Sequence, residues 1–526
     1  MRPSITCYGG VGQIGGNKIL LEDGDVRLFL DFGTAFGRRQ EFFNEYLRPR
    51  AARGLLDLMA LELIPPLEGV YRSELTLPGM WERFRNAPLY RRLLRGDALP
   101  IEAVLVSHAH LDHNGDISYL DPAIPIYASR VTAFVARAMQ ITGQISFEQE
   151  LTFVCPREWD EREQVLRTVR NADYLARCYG FLDGQLRAED RAWWESIPSV
   201  SRRLLEQPTN AFTGEVSGLE VRWWPVDHSV PGAVAFAIRT SAGWLGYTGD
   251  IRFHGRNAPL MEHLTQELVQ LEPTVLLCEG THLSAQPLVT EQQIAENALT
   301  LVRQAGGRLV VADFAPRNVE RLSTFHQVAK ETGRRLAIQP KDAYLLHAVF
   351  LADPSIFFDP LTLPELVLYA DPKSAPRTWE TELRRRWGGR LAGPSEVSAH
   401  PGEYILCFSL WDANDLLDLQ GIGGGVYIYS NSRAYDEEQA IDLERLRNWV
   451  RHIELRMEGD PDDPHRVPLH ASGHATGAQL REFVKQVRPR MLIPIHTEHP
   501  EWWQEALAGA GIRVVLPQLG QPIFLD

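Results

Sequence analysis

The chain has 526 residues, 44% of them hydrophobic and 23% charged, with a formal net charge of −14. That length exceeds one hydrophobic core and predicts roughly two to four structural units of ordinary globular composition. The negative balance excludes generic adhesion to polyanions but not a local groove. No apolar run approaches the roughly 18 residues of a membrane helix, so no membrane partner is expected. Met1-Arg-Pro-Ser-Ile-Thr-Cys7 leads directly into a strand, without the apolar core of a secretory signal. The five cysteines (Cys7, Cys155, Cys178, Cys278, Cys407) are scattered and form no Cys-x-x-Cys pair. Buried thiols in a reducing cytoplasm are the expected account.

Ser4 to Tyr8 and Lys18 to Leu21 read as strands around Gly9-Gly-Val-Gly-Gln-Ile-Gly-Gly-Asn17. Gly10, Gly12 and Gly15 fit the dinucleotide pattern Gly-x-Gly-x-x-Gly, but a strand follows where that motif needs a helix. A hairpin passing close to an active site is the better reading. Val26 to Leu30 is the next strand and ends on Asp31-Phe-Gly33, where Asp31 either orients a metal ligand or caps a turn. Residues 35 to 98 are expected to be a helical insertion broken at Pro65-Pro66.

The strand Ala103 to Val106 then runs into Ser107-His-Ala-His-Leu-Asp-His113. Neutral imidazoles and a carboxylate are the donors that a borderline divalent ion prefers. His108 and His110, with Asp112 and His113 just beyond, cannot share one helical face. On a loop leaving a strand they can surround one point, or two; a plain solvated loop is the competing reading.

Asn114-Gly-Asp-Ile117 is expected to start a helix, Ile124 to Ala128 to form a strand, and Arg130 onward a helix. Residues 139 to 215, with the charged run Asp160 to Arg177 and Trp193-Trp194, are expected to be an α-rich insertion. Leu219 to Val226 is a strand delivering Asp227-His228-Ser229. Ala233 to Ile238 pairs with Trp244 to Tyr247, ending at Thr248-Gly-Asp250, and Val275 to Cys278 ends at Glu279-Gly-Thr281. Several successive strand ends thus present metal-type or acid–base residues, which a purely structural account does not predict.

From about 286 to 455, β-like segments alternate with helices: Val310 to Phe314, Arg335 to Ile338, Leu366 to Leu368, Tyr404 to Phe408 and Gly425 to Tyr429. This alternation predicts a separate α/β unit. Its most basic stretch, Arg377 to Arg390, is read first as a solvated helix face. Leu469-His-Ala-Ser-Gly-His474 and Leu492-Ile-Pro-Ile-His496-Thr-Glu498 are expected to be two further histidine-bearing strand ends.

His108-Ala-His110-Leu-Asp112-His113 matches His-x-His-x-Asp-His, and through it the sequence resembles the metallo-β-lactamase superfamily. The order of that loop, His228, Asp250, Glu279, His474 and His496 is similar to the β-CASP branch, the nucleases of RNA and DNA. The opening glycine run and His470-Ala-Ser-Gly-His474 look most like bacterial and archaeal ribonuclease J. Three features depart from that family. The segments near 35–98 and 139–215 are long, and Thr497-Glu498 stands where Gly-Glu is usual. About thirty residues follow His496, so the family's carboxy-terminal domain is expected to be missing.

The resemblance implies an α/β fold: an αββα metallo-β-lactamase sandwich with an inserted α/β β-CASP domain. The implied division is 1–285 and 456–526 for the two parts of the sandwich, with 286–455 as the insert. It also implies two divalent ions, zinc first and manganese second, about 3.5 Å apart. His108, His110 and His228 would hold one, Asp112, His113 and His496 the other, with Asp250 bridging. Asp112, Glu279 and His474 form the implied catalytic set, the pair His474/Glu279 serving as general acid to a metal-bound hydroxide. Ser472 and Gly473, with Arg317 and Asn318 beside them, are the phosphate-binding candidates. The implied activity is a metal-dependent ribonuclease, 5′-exonucleolytic, endonucleolytic or both, with RNA favoured over DNA as partner and homo-oligomerisation left open. The alternatives are a DNA-directed β-CASP nuclease and a thioesterase or lactonase of the same fold. An inactive scaffold subunit is a third, against which the complete ligand set argues.

Overall fold

The structure is a computed structural model that describes residues 2–526 apart from 97, 145, 199–201, 206–211, 284–287 and 435–436. Two seven-stranded sheets form its centre. The first runs Tyr179–Phe181, Ile126–Ala128, Ala103–Leu105, Val26–Phe32, Lys18–Asp23, Ser4–Gly9 and Pro522–Phe524. The second runs Glu215–Val216, Leu219–Pro225, Val234–Thr240, Gly243–Tyr247, Val275–Cys278, Met491–Pro494 and Arg513–Val514.

Side chains alternate across a strand, so each sheet offers an apolar inner face. Ile5, Ile19, Leu28 and Leu30 of the first sheet meet Phe236, Ile238, Leu245, Leu277 and Ile493 of the second in one buried core. Each of these side chains contributes roughly 1.5–3 kcal/mol through burial. On the far face of the second sheet, helices Ala258–Leu271 and Gly477–Val487 bring Met261, Leu264, Phe483 and Val484 onto Leu276, Cys278 and Leu492. Helix Arg130–Thr142 buries Phe134 and Val135 in the cluster that also holds Phe29 and Val104 of the first sheet. The layers therefore run helix, sheet, sheet, helix.

A third sheet lies between Val275–Cys278 and Met491–Pro494 in the chain, although those two strands are parallel neighbours in space. It is parallel throughout, in the order Leu391–Ala392, Leu366–Tyr369, Arg335–Ile338, Tyr404–Cys407, Val310–Asp313, Val426–Tyr429, Arg456–Glu458. Its central strands are mostly apolar, with Arg335 and Asp313 only at strand ends, as strands covered on both faces tend to be.

Both long insertions differ from the helical expectation. Residues 35–98 hold only short helices at Phe36–Gln40, Leu56–Ala60 and Met80–Phe84, besides two 3-10 turns and the two-residue strands Leu67–Glu68 and Arg91–Arg92. Pro49, Pro65, Pro66, Pro78 and Pro88 interrupt any longer helix, and Leu55, Leu63, Leu67, Val70 and Leu75 are each pinned into the core. Between 139 and 215, helix Arg130–Thr142 ends and, among the described residues, only Ala188–Trp194 is a further α-helix. Short strands, turns and a 3-10 helix, Phe147–Gln149, make up the other described residues, and the charged run opens as a hairpin of Arg157–Asp160 with Val165–Thr168. Asp160 accepts the N–H groups of Arg162 and Glu163 at the turn, so the charges alternate across a ribbon rather than coat a helix.

The basic stretch on helix Thr378–Trp387 is a structural face. Arg384 pairs with Asp371 and Glu380, and Arg385 with Glu382. All five cysteines are buried free thiols. Among the described residues no helix is long and apolar enough to cross a membrane.

Candidate metal centre

The strand Ala103–Leu105 delivers the histidine loop, but the loop turns helical sooner than expected. His110 is the N-cap of a short helix, Leu111–Asn114. Its carbonyl accepts the N–H groups of His113 and Asn114, so Asp112 and His113 stand on the first helical turn. The opening glycine run is an antiparallel hairpin connection that touches this loop. The Gly16 and Asn17 N–H groups donate to the Asp112 carbonyl at 2.9 and 3.2 Å, and the Gly10 carbonyl accepts from the His496 N–H at 2.8 Å. Gly33 is pressed still closer: a β-carbon there would lie 1.8 Å from the Asp112 carbonyl oxygen.

Three groups of donors converge. His108, His110, His228 and Asp250 form one; Asp112, His113 and His496 a second; Asp250, Glu279 and His474 a third. His110 Nδ1 lies 3.2 Å from His108 Nε2 and 3.1 Å from His228 Nε2. Nitrogens on a tetrahedral zinc ion stand about 3.3 Å apart, so this spacing fits a shared cation. Asp250 Oδ2 reaches His113 Nε2 at 3.2 Å and His108 Nε2 at 3.5 Å, while Oδ1 reaches His496 Nδ1 at 3.2 Å. The carboxylate therefore stands between the first two groups.

The surroundings set which ring nitrogen faces inward. His113 Nδ1 contacts Asp31 Oδ2 at 2.6 Å, and His228 Nδ1 contacts the Gly473 carbonyl at 2.6 Å. Each ring thereby turns Nε2 to the cluster, the arrangement that orients metal-ligating histidines. Asp31 is the extra residue of a β-bulge: Ile19 pairs with Leu30 and Lys18 with Phe32, while Asp31 has φ 57°. The bulge aims its carboxylate at His113, Ser107 and the Tyr247 hydroxyl. Of the two readings of Asp31, the orienting one holds. His496, at φ 52°, is a second left-handed residue at the site, the kind of local strain that gathers where side chains must be aimed.

The donor set fits divalent cations. His113 Nε2 and His496 Nε2 are buried and make no hydrogen bond within the protein, a costly state for a polar atom unless an ion takes it. Burial, followed by the field of His113, holds the His108 imidazole well below its usual range. Burial likewise lowers His110 and takes His228 down to about 3. Neutral imidazole is the form that ligates. Burial opposes charge on His474 too, yet the carboxylates of Glu279 and Asp250 outweigh it and lift this histidine to about 9. Glu279 Oε2 lies 3.0 Å from His474 Nδ1, and the carboxylate is itself held by the Ile251 N–H and the Thr281 hydroxyl.

The Leu469–His474 segment is not a strand end: 464–475 is irregular. Prolines at 464 and 468 and the bend at Gly473 leave no run long enough to pair. The Ser472 hydroxyl accepts the His474 N–H at 3.0 Å, closing the turn that presents His474. Of the other phosphate candidates, Asn318 caps helix Val319–Thr332 by accepting the Arg321 N–H. Arg317 instead lies against the ligand loop, donating to the Ala109 carbonyl at 3.3 Å.

Tyr247 and Arg252 escaped the sequence reading. Arg252 is fully buried; it bonds Asp227 at 3.0 Å and Glu291 at 3.4 Å, reaches Glu320, and donates to the Ser472 carbonyl at 3.4 Å. It thus ties the His228 and His474 turns to helices Glu291–Gln304 and Val319–Thr332. Only its place two residues after Asp250 could have marked it.

Comparison with known proteins agrees with this geometry. Residues 78–280 match the metallo-β-lactamase superfamily, and residues 465–517 match the Zn-dependent metallo-hydrolase RNA specificity domain. Curated relatives named ribonuclease J include one from Mycolicibacterium smegmatis, 23% identical over 97% of this chain and 70% of its own length. Others are from Corynebacterium glutamicum, 23% identical over 98% of this chain and 57% of that one, and from Sinorhizobium meliloti, 21% identical over 76% and 58%. The chain therefore spans little more than half the length of several of these relatives. In fold, it is similar to a crystal structure of a protein of unknown function from Enterococcus faecalis V583, with a TM-score of 0.66, 21% identity and full coverage of both chains. Residues 78–280 and 465–517 thus carry a metallo-β-lactamase domain and a Zn-dependent metallo-hydrolase RNA specificity domain, and the chain as a whole is similar to ribonuclease J.

Proposed function

We propose that the chain is a divalent-metal-dependent phosphodiesterase acting on RNA. His108, His110 and His228 would hold one ion and Asp112, His113 and His496 a second, with Asp250 between the two groups. The observation that carries this reading is the convergence of two buried histidine-rich donor groups, His108/His110/His228/Asp250 and Asp112/His113/His496, with Asp250 also within 3.2 Å of His113 and of His496. Two ions bound there supply a water of lowered pKa and neutralise charge gathering on a phosphate.

The chain's own residues do the remainder. Asp31 and the Gly473 carbonyl keep His113 and His228 in the required tautomer. His474 has Nδ1 on Glu279, which leaves Nε2 to donate a proton to the departing oxygen, the work of a general acid. Asp112 takes part in the catalytic set through its ion, and the Ser472 hydroxyl and the Ser472–Gly473 amides, with Arg317, bind the neighbouring phosphate. RNA is favoured over DNA by the match of 465–517 to an RNA specificity domain. Zinc is the first candidate metal because the donors are rich in imidazole; manganese is the second. The reading includes both 5′-exonucleolytic and internal cleavage. It takes 1–285 with 456–526 as the catalytic domain and 286–455 as the β-CASP insert. A cytoplasmic setting belongs to it as well, supported by the five free buried thiols.

The test is metal analysis of the purified protein together with digestion of linear and circular RNA and DNA, a thioester and a lactone. About two metal equivalents, cleavage of RNA, and loss of cleavage with EDTA are expected. Protein without metal whose activity EDTA leaves untouched would sink the proposal, as would thioester turnover without RNA cleavage.

A further inference from the structure

A cavity of about 840 Å³ lies beside the ligand loop. Leu111, which stands between His110 and Asp112, lines one side of it together with Arg317; Phe36, Arg39, Phe43 and Arg48 line another. The second wall is fixed to the first by the backbone, since the Thr34 N–H donates to the Leu111 carbonyl at 2.8 Å. Phe36 therefore stands two residues beyond a direct contact with the metal loop.

The wall has an unusual composition. From Phe36 to Arg50 the chain interleaves aromatic residues (36, 42, 43, 46) with arginines (38, 39, 48, 50). Phe43 packs on the core and anchors the segment. Phe36 and Tyr46 are 42% and 89% exposed, which forgoes the burial that such rings otherwise gain. The exposure of Tyr46 is built in. The Asn44 side-chain Oδ1 accepts the N–H groups of Tyr46 and Leu47 at 2.9 and 2.8 Å, closing a tight loop with Tyr46 at its tip. Among the described residues neither Arg48 nor Arg317 forms an ion pair; their hydrogen bonds go to neutral oxygens.

We propose that residues 36–48 are a stacking wall for single-stranded RNA, with Phe36 receiving a base and Arg48 a phosphate in the cavity, and Tyr46 receiving a second base outside it, at the tip of the loop whose Asn44, Glu45 and Arg48 reach the lining. Aromatic faces accept any base, and guanidinium forks match phosphate oxygens. In a chain of net charge −14, a polyanion needs such local unpaired cations to approach at all. The cavity is on the scale of small-ligand sites, about 300–1,000 Å³, which admits unpaired nucleotides and not a duplex. This inference rests on the RNA phosphodiesterase reading but is tested apart from it.

The test measures binding, in the Asp112→Ala background, of a fluorescent single-stranded RNA of about twelve nucleotides and of an abasic strand of equal length. Phe36→Ala combined with Tyr46→Ala should weaken RNA binding on the order of 10- to 100-fold and leave abasic binding unchanged. Phe36→Tyr with Tyr46→Trp should restore it, which separates stacking from misfolding. Equal RNA binding by the alanine form overturns the wall, as does an equal loss for the abasic strand. So does a shift from dimer to monomer in sedimentation, which would make this face a contact between copies. If the unsubstituted protein fails to cut RNA while these binding differences hold, the phosphodiesterase reading fails and the wall stands.

Discussion

The carboxyl ends of the sandwich strands and those of the parallel sheet both gather buried polar side chains, but they satisfy them differently. In the parallel sheet Asp313 accepts the Tyr427 hydroxyl at 2.6 Å and the Asn431 amide at 2.7 Å, and Lys341 pairs with Asp412 at 3.2 Å. These partners are neighbouring protein groups, although the hydroxyl of Tyr369, at the end of another strand of this sheet, is buried without a hydrogen bond. At the sandwich ends, His113 Nε2 and His496 Nε2 make no hydrogen bond though carboxylates of Asp250 and Asp112 stand 3.2 and 3.4 Å away, and the rings of His108, His110 and His228 meet nitrogen to nitrogen. Polar residues at strand ends are common to both regions. Among the described residues, imidazoles and carboxylates that converge within 4.8 Å of one another mark only the second, an arrangement that a bound cation would relieve.

The strongest way to break this contrast is to split the sandwich cluster by role. His496→Ala should lose metal and hydrolysis together. His474→Ala should keep its metal and lose on the order of 10²–10⁴-fold in rate, the usual worth of a general acid. A substrate with sulfur at the leaving position needs little protonation and should selectively rescue His474→Ala. Metal loss in His474→Ala, or the absence of that rescue, would move His474 out of the proton-donor role.

A smaller effect is expected one layer out. Asp31→Asn removes the carboxylate that orients His113 while keeping the shape of the bulge. Metal affinity should fall about 10- to 100-fold, read by competition with a chelator. Unchanged affinity would return Asp31 to a role in the strand alone.

The mildest test concerns the other region. Burial lifts Asp313 to about 7, above the ordinary carboxylate value of about 4. The folded state thus holds this proton longer than the unfolded one. The associated stability is complete below about pH 4 and is lost as pH rises to about 7. Asp313→Asn removes that loss, so its melting temperature relative to the unsubstituted protein should rise from pH 5 to pH 8, with metal content unchanged. A difference that stays flat across this range would show that Asp313 is not the titrating group.

Much of this site was legible from residue order alone. His108, His110, Asp112 and His113 are five positions apart at most, and His228, Asp250, Glu279 and His496 each follow a strand. The elements that were misread lacked a periodic signal. The run Asp160 to Arg177 is as polar as a solvated helix face, and only pairing of Arg157–Asp160 with Val165–Thr168 makes it a ribbon. Asp31 was ambiguous because the bulge that aims it depends on the register of two other strands.

The sequence by itself determined the donor types, their order, the apolar strands that carry them and hence the superfamily, since those are local properties of short segments. Only the tertiary structure decided which donors meet. Asp250 lies 246 residues from His496 and within 3.2 Å of it, His228 owes its tautomer to a carbonyl at Gly473, and Arg252 joins turns and helices that no spacing connects. Such contacts form when two sheets bury a common core, and their geometry is a property of that packing rather than of any one segment.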